Sequence, residues 1–254
     1  MQQIKFLVGS ILLAPVLPIL MVQGNRIKRI FPSLPEAKVP LGKSGEGKAF
    51  QLVCLGESSM AGVGIDAHEN GFAGNFSRCL AALIKKQINW RVYAKSGLTA
   101  ELVRKQLMPQ IKEQHADLVL VALGGNDTFQ LNSPEKWARQ IELLIQDIRK
   151  KYPKAPILFA TMPPVHTFPA FTGPIQLVLG QLVALHGERL NRLIRKHNNI
   201  YFDSQKIDLN DWLRKYPGCS KEELYSDGVH PSSLTYQIWG KELAHFIHKQ
   251  HYQD

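Results

Sequence analysis

"FQLVCLGESSMAGVG", residues 50–64, decides how this chain is read. A largely apolar run from Phe50 to Leu55 breaks at Gly56, and Glu57, Ser58 and Ser59 follow, with Gly62 and Gly64 close behind. A short continuous apolar run suits a strand buried on both faces, as in a parallel sheet. Gly and Ser are ordinary turn formers, and a single serine after a strand most often only turns the chain. A serine at the carboxyl end of a parallel strand also stands where such sheets bind ligands. The choice between the two readings depends on whether a base, an acid and oxyanion donors occur elsewhere.

Working outward, apolar runs alternate with helical patterns. Further strands are predicted at 90–94 ("WRVYA"), 117–123 ("DLVLVAL"), 156–162 ("PILFATM") and 200–203 ("IYFD"). Helical periodicity covers 72–88, 99–114 with Pro109 as a kink, a stretch opened by Ser133-Pro134, a long segment near 175–197, and the chain after Pro231. Alternating strands and helices predict an α/β protein: a three-layer α/β/α sandwich with a mostly parallel sheet of about five strands.

The loops after these strands carry the polar groups. Gly56-Glu57-Ser58-Ser59 follows the first strand, Lys95-Ser96-Gly97 the second and Gly124-Gly125-Asn126-Asp127 the third; Tyr225-Ser226-Asp227-Gly228-Val229-His230-Pro231 precedes the last helix. Acyl transfer needs a nucleophile, a base, a group that orients the base, and donors for an oxyanion. Ser58 offers the hydroxyl, and His230 can take its proton because imidazole titrates near neutral pH. Asp227, three residues before His230 in a glycine-containing turn, can orient the ring. The N–H of Ser58, the N–H of Gly97 and the side-chain amide of Asn126 are the oxyanion donors. Taken singly, each residue has a bland reading as a turn, a helix cap or a surface group; their joint occurrence at one sheet edge carries the argument. The α/β-hydrolase elbow G-x-S-x-G is absent, since Met60 stands two residues after Ser58.

This set resembles the SGNH, or GDSL-type, hydrolase family over roughly residues 50 to 250. The resemblance implies a nucleophile at Ser58, an oxyanion hole of Ser58, Gly97 and Asn126, acid and base at Asp227 and His230, and a flavodoxin-like sandwich. Glu57 departs from the family's usual Asp by one methylene. No metal or organic cofactor is expected. The segment 162–185, with four prolines, is expected to wall the substrate pocket, with Phe168, Phe171, Ile175 and Val178 along an acyl groove; packing on the core is the competing reading.

Residues 1–24 include an uncharged apolar stretch, Phe6 to Val22, read as a membrane anchor or signal segment. Residues 25–48 read as a basic linker containing Pro and Gly, and 49–254 as the hydrolase domain. Arg26, Lys28 and Arg29 against Lys5 tilt the positive-inside balance toward a body facing the cytoplasm, with export after signal cleavage as the alternative. The 31 Lys and Arg against 21 Asp and Glu leave a charge of +10, which suits an anionic lipid surface. Nucleic-acid motifs are lacking, so nucleic acid is not an expected partner. Three scattered cysteines make neither a disulfide framework nor a zinc site. The expected activity is cleavage of carboxylic esters through an acyl-enzyme on Ser58, the partner being an acyl ester, with lipid as its candidate class. An acyltransferase using the same triad and a non-catalytic membrane-associated binding module are the alternatives.

Overall fold

A computed structural model describes residues 34–205 and 207–253. Six strands make one sheet: β1 (Leu41–Ser44), β2 (Ala49–Gly56), β3 (Gln87–Ala94), β4 (Leu118–Ala122), β5 (Ile157–Phe159) and β6 (Ile200–Phe202). They lie in the order β1-β3-β2-β4-β5-β6. Edge strand β1 runs antiparallel to β3, and every other neighbouring pair is parallel. The helices are α1 (Phe72–Ile84), α2 (Ala100–Leu102), α3 (Gly125–Phe129), α4 (Pro134–Lys151), α5 (Gly173–Ile194), α6 (Leu209–Lys215) and α7 (Ser233–Ile247).

The apolar runs become strands because the sheet has a core on each side. Phe50, Leu52 and Cys54 of β2 point to the core shared with Phe72, Phe76 and Leu80 of α1 and with Ile238 and Leu243 of α7. Val53 and Leu55 point the other way, to Trp137, Ile141, Leu144 and Ile148 of α4. All five residues of β4 are buried, so this strand cannot alternate polar with apolar. Burying one such Leu or Val is worth about 1.5–3 kcal/mol, which makes these two strands the thermodynamic centre of the fold. The mostly parallel α/β/α sandwich agrees with the expectation.

Local signals behave as their chemistry requires. Ser133 Oγ accepts the N–H of Lys136 at 3.2 Å and Pro134 opens α4. Around Pro109 the helix does not stay regular: α2 loosens into a π-helical stretch, Val103–Leu107, then tightens into a 3-10 turn at Met108–Gln110. A proline cannot supply the N–H a regular helix needs there.

Residues 41–44 fall inside the stretch read as a linker, yet they pair with β3 from Leu41↔Arg91 to Ser44↔Ile88. No helix among the described residues is long and apolar enough to cross a membrane. The anchor or signal segment read at 1–24, and the start of the linker, lie outside the described residues.

The strand order positions the site. From β2 the chain goes to β3 on one side, then crosses to β4 on the other. Ligands bind at the carboxyl ends flanking such a reversal in an open parallel sheet. Ser58 follows β2 and Asn126 follows β4, so both stand there.

Candidate active site

The chain leaves β2 with its ladder extended by one residue: the Glu57 N–H donates to Ala122 O at 3.2 Å. Ala61 N–H to Glu57 O (2.8 Å) and Val63 N–H to Ser58 O (3.2 Å) then curl residues 57–63 into tight turns. Ser58 is half-buried at the start of this curl. Among the described residues, neither its N–H nor its hydroxyl is engaged in a hydrogen bond.

Asp227 and His230 are brought together. His230 Nδ1 lies 2.8 Å from Asp227 Oδ2, while Asp227 Oδ1 accepts the N–H groups of Val229 at 3.0 Å and His230 at 2.8 Å. The side chains are 22% and 8% exposed for His230 and Asp227. Burial alone pushes the Asp227 carboxyl up, but the ring of His230, the two backbone N–H groups and the charge of His230 together hold it below the ordinary value. Gly228 sits at φ +81°, and Ala170 N–H donates to its carbonyl at 3.1 Å. A Cβ at Gly228 would stand 3.0 Å from Ala170 N, so the turn needs glycine on both counts.

The loop of Ser58 and the loop of His230 touch. A Cβ at Gly64, which has φ +88°, would lie 2.8 Å from Ser226 Oγ. Tyr236 Oη, from α7, reaches back to Val63 O at 3.2 Å. Ser226 Oγ in turn donates to Pro231 O at 3.0 Å, which closes the loop carrying His230.

The turn after β4 is pinned from several directions. Asn126 Nδ2 gives one hydrogen to Leu98 O at 3.0 Å, and the amide has a second. Asp127, 2% exposed, accepts the N–H of Ala100 at 2.8 Å and the side-chain amide of Asn132 at 2.8 Å. Burial pushes its carboxyl upward. Asp127 therefore ties the start of α2 to α3 and holds the loop. Gly97, exposed and at φ +84°, lies just before Leu98, and its N–H has no hydrogen-bond partner among the described residues.

Glu57 enters as a structural finding that spacing alone could not reveal. It is 6% exposed, and its carboxylate accepts Gly125 N–H on Oε1 at 2.6 Å and Asn126 N–H on Oε2 at 2.8 Å. Burial pushes its pKa up to about 7.

The groove residues are placed differently. Phe168 and Ile175 are each 5% exposed, and Phe171 and Val178 are half-buried. Phe168 packs edge-on against Tyr225 at 5.5 Å and beside Phe171 at 5.6 Å, so it braces the histidine loop. A cavity of about 550 Å³ opens on another face of the same segment, bounded by Met162, Pro164, Leu177, Gly180, Ala184 and Phe202 among others. His186 is wholly buried, stacked on Trp137 at 4.9 Å and bonded to Thr128 Oγ1 at 3.2 Å and to Asn132 O at 2.9 Å. Burial lowers its pKa to about 4, so it is a neutral structural residue.

A half-buried serine after β2 and a carboxylate-bound histidine in an adjoining loop thus share one end of a mostly parallel α/β/α sheet. Residues 54–238 match the model of the GDSL-like Lipase/Acylhydrolase family, and the chain belongs to that family. The spore germination lipase LipC of Bacillus licheniformis is 26% identical over 220 residues, which cover 76% of this chain and 94% of LipC. Among solved structures, the lipase Lip_vut3 from a goat rumen metagenome superposes with a TM-score of 0.58 at 22% identity, covering 76% of this chain and 95% of that one. The extracellular lipase of Streptomyces rimosus gives 0.56 at 14% identity, covering 78% and 99%. At these identities the two structures bear on the fold alone.

Proposed function

We propose that this protein hydrolyses carboxylic esters through an acyl-enzyme on Ser58, with Asp227 and His230 completing the triad. The observation that carries the reading is the 2.8 Å contact between His230 Nδ1 and Asp227 Oδ2, in a loop packed against the loop of Ser58. With Nδ1 committed to the carboxylate, Nε2 is left to accept the serine proton.

In the first half-reaction Ser58 Oγ attacks the ester carbonyl carbon and its proton passes to His230 Nε2. The carbonyl oxygen becomes an oxyanion, met by the N–H of Ser58, the N–H of Gly97 and the free hydrogen of Asn126 Nδ2. The bond to the alcohol oxygen breaks, and the imidazolium protonates that oxygen as the alcohol departs. In the second half-reaction water gives a proton to Nε2 and attacks the acyl carbon. The carboxylic acid leaves as Ser58 regains its proton. Asp227, kept ionised by its hydrogen bonds, stabilises the imidazolium in both halves.

Lipid-derived acyl esters are the favoured substrates. LipC carries the name of a lipase, the apolar stretch within residues 1–24 and the basic residues after it suit a lipid surface, and the chain carries +10. A hydrolysis screen over ester chain lengths, comparing wild type with Ser58→Ala, tests the reading. Turnover of at least one acyl ester that vanishes in Ser58→Ala is the expected result; turnover unchanged by the substitution would overturn it.

A further inference from the structure

We propose that Glu57 is a positioning residue: its carboxylate, bridging Gly125 N–H and Asn126 N–H, sets the Asn126 amide relative to Ser58 in the oxyanion hole. The inference rests on the reading of Ser58 and Asn126 given above, and extends it to the residue beside the nucleophile.

The geometry carries the argument. Glu57 is covalently next to Ser58, and its backbone is held to β4 through Ala122 O. Its side chain crosses from β2 to the turn after β4 and takes the first two N–H groups of α3, which have no partner within the helix. One rigid link therefore runs from Ser58 through the carboxylate to the backbone of Asn126. A second, from Asn126 Nδ2 to Leu98 O, fixes the amide's rotation and the approach of the Gly97 loop. Oxyanion donors act through being fixed before the charge develops. Aspartate at this place is a methylene shorter and would have to draw the β2 and β4 turns together to make the same two bonds.

The link depends on the charge state of the carboxylate. An ionised carboxylate only accepts, so it serves both N–H groups; a protonated one carries an O–H donor in place of one acceptor. The charged group beside it is Asp127, on α3, which disfavours ionisation; burial is the larger influence, and the N–H groups of Asn126, Gly125 and Gly124 work against both. Met162 and Pro163, the side chains nearest Gly124 and Gly125 from the segment after β5, bring no charge. Protonation of Glu57 frees one N–H at the hole, and the hole loosens.

The test is kcat and KM of the full chain on a soluble acyl ester from pH 5 to 9, for wild type, Glu57→Gln and Glu57→Asp. Full kcat then requires the Glu57 carboxylate in its ionised form. Log kcat of wild type falls more steeply on the acid side than that of Glu57→Gln, which lacks the titrating carboxylate. At pH 8, Glu57→Gln loses roughly 10- to 100-fold in kcat with KM within about threefold, less than the 10²–10³ typical of losing a donor outright. Glu57→Asp keeps the steeper slope but loses kcat. An acid limb equally steep in wild type and Glu57→Gln overturns the proposal. So does a Glu57→Gln protein with kcat within about threefold of wild type at pH 8. Failure of the reading beneath it looks different: turnover would then survive Ser58→Ala.

Discussion

Asp227 holds His230 through both of its oxygens, Oδ2 on the ring at 2.8 Å and Oδ1 on the backbone N–H at 2.8 Å. The same carboxylate thus shapes the turn and orients the ring. Asp227→Asn keeps an acceptor for the turn but presents an amide where the ring needs a carboxylate. The expected loss in kcat is about 10³–10⁴, with KM nearly unchanged, read by steady-state kinetics. The native pairing stabilises the fold above the ordinary carboxyl value of 3.8, and this contribution is lost as pH falls below it.

Asn126→Ala removes one of the proposed oxyanion donors and the bond to Leu98 O. The kcat falls about 10²–10³-fold, while the lost hydrogen bond costs about 1 kcal/mol of stability. A thermal melt alongside the kinetics separates the two effects: a large rate loss with a small shift in Tm is expected.

Gly64→Ala strikes the contact between the loops of Ser58 and His230. The new methyl meets Ser226 Oγ at 2.8 Å and must adopt φ +88°. Left-handed backbone costs a non-glycine residue about 1–2 kcal/mol, or roughly 2–8 °C in Tm for a domain of this size. A fall in kcat larger than that melt explains is the sign that the two loops must sit in register.

Glu57 and His186 give the stability curve opposing slopes. The folded pKa of Glu57, about 7, lies above its ordinary 4.5, so its contribution is full below 4.5 and lost as pH rises through 7. The folded pKa of His186, about 4, lies below its ordinary 6.5, so its contribution is present above 6.5 and lost as pH falls through 4. Each is on the order of 3 kcal/mol at 1.36 kcal/mol per unit, so they offset one another between pH 4.5 and 6.5. Glu57→Gln removes one slope. Denaturant melts of that variant are expected to show stability rising with pH across this window, against a flatter wild type.

Strands β2 and β4 could be read from composition because burial on both faces forbids polar residues there. Ser133-Pro134 likewise announced α4 through local chemistry. Edge strand β1, with the sequence Leu-Gly-Lys-Ser and an alternately exposed pattern, carries no apolar signal; only its pairing with β3 makes it a strand. The short α3 and α6 each have too few residues to display a period. Asp227 and His230 are three residues apart, so a turn could be inferred between them. The bonds from Glu57 to Gly125 and Asn126 span 68 and 69 residues, and no local pattern encodes them. Phe168 followed the same limit: its hydrophobicity was evident, but the partner that buries it, Tyr225, is set by the tertiary fold.

The central claim is that Ser58 is a nucleophile activated by His230. Labelling of the full chain with a fluorophosphonate, followed by peptide mass spectrometry, tests it most directly. The account predicts one adduct on Ser58, absent in Ser58→Ala and slowed at least about 10³-fold in His230→Ala. An unlabelled Ser58 in folded wild-type protein, or an adduct on neighbouring Ser59 instead, would contradict it.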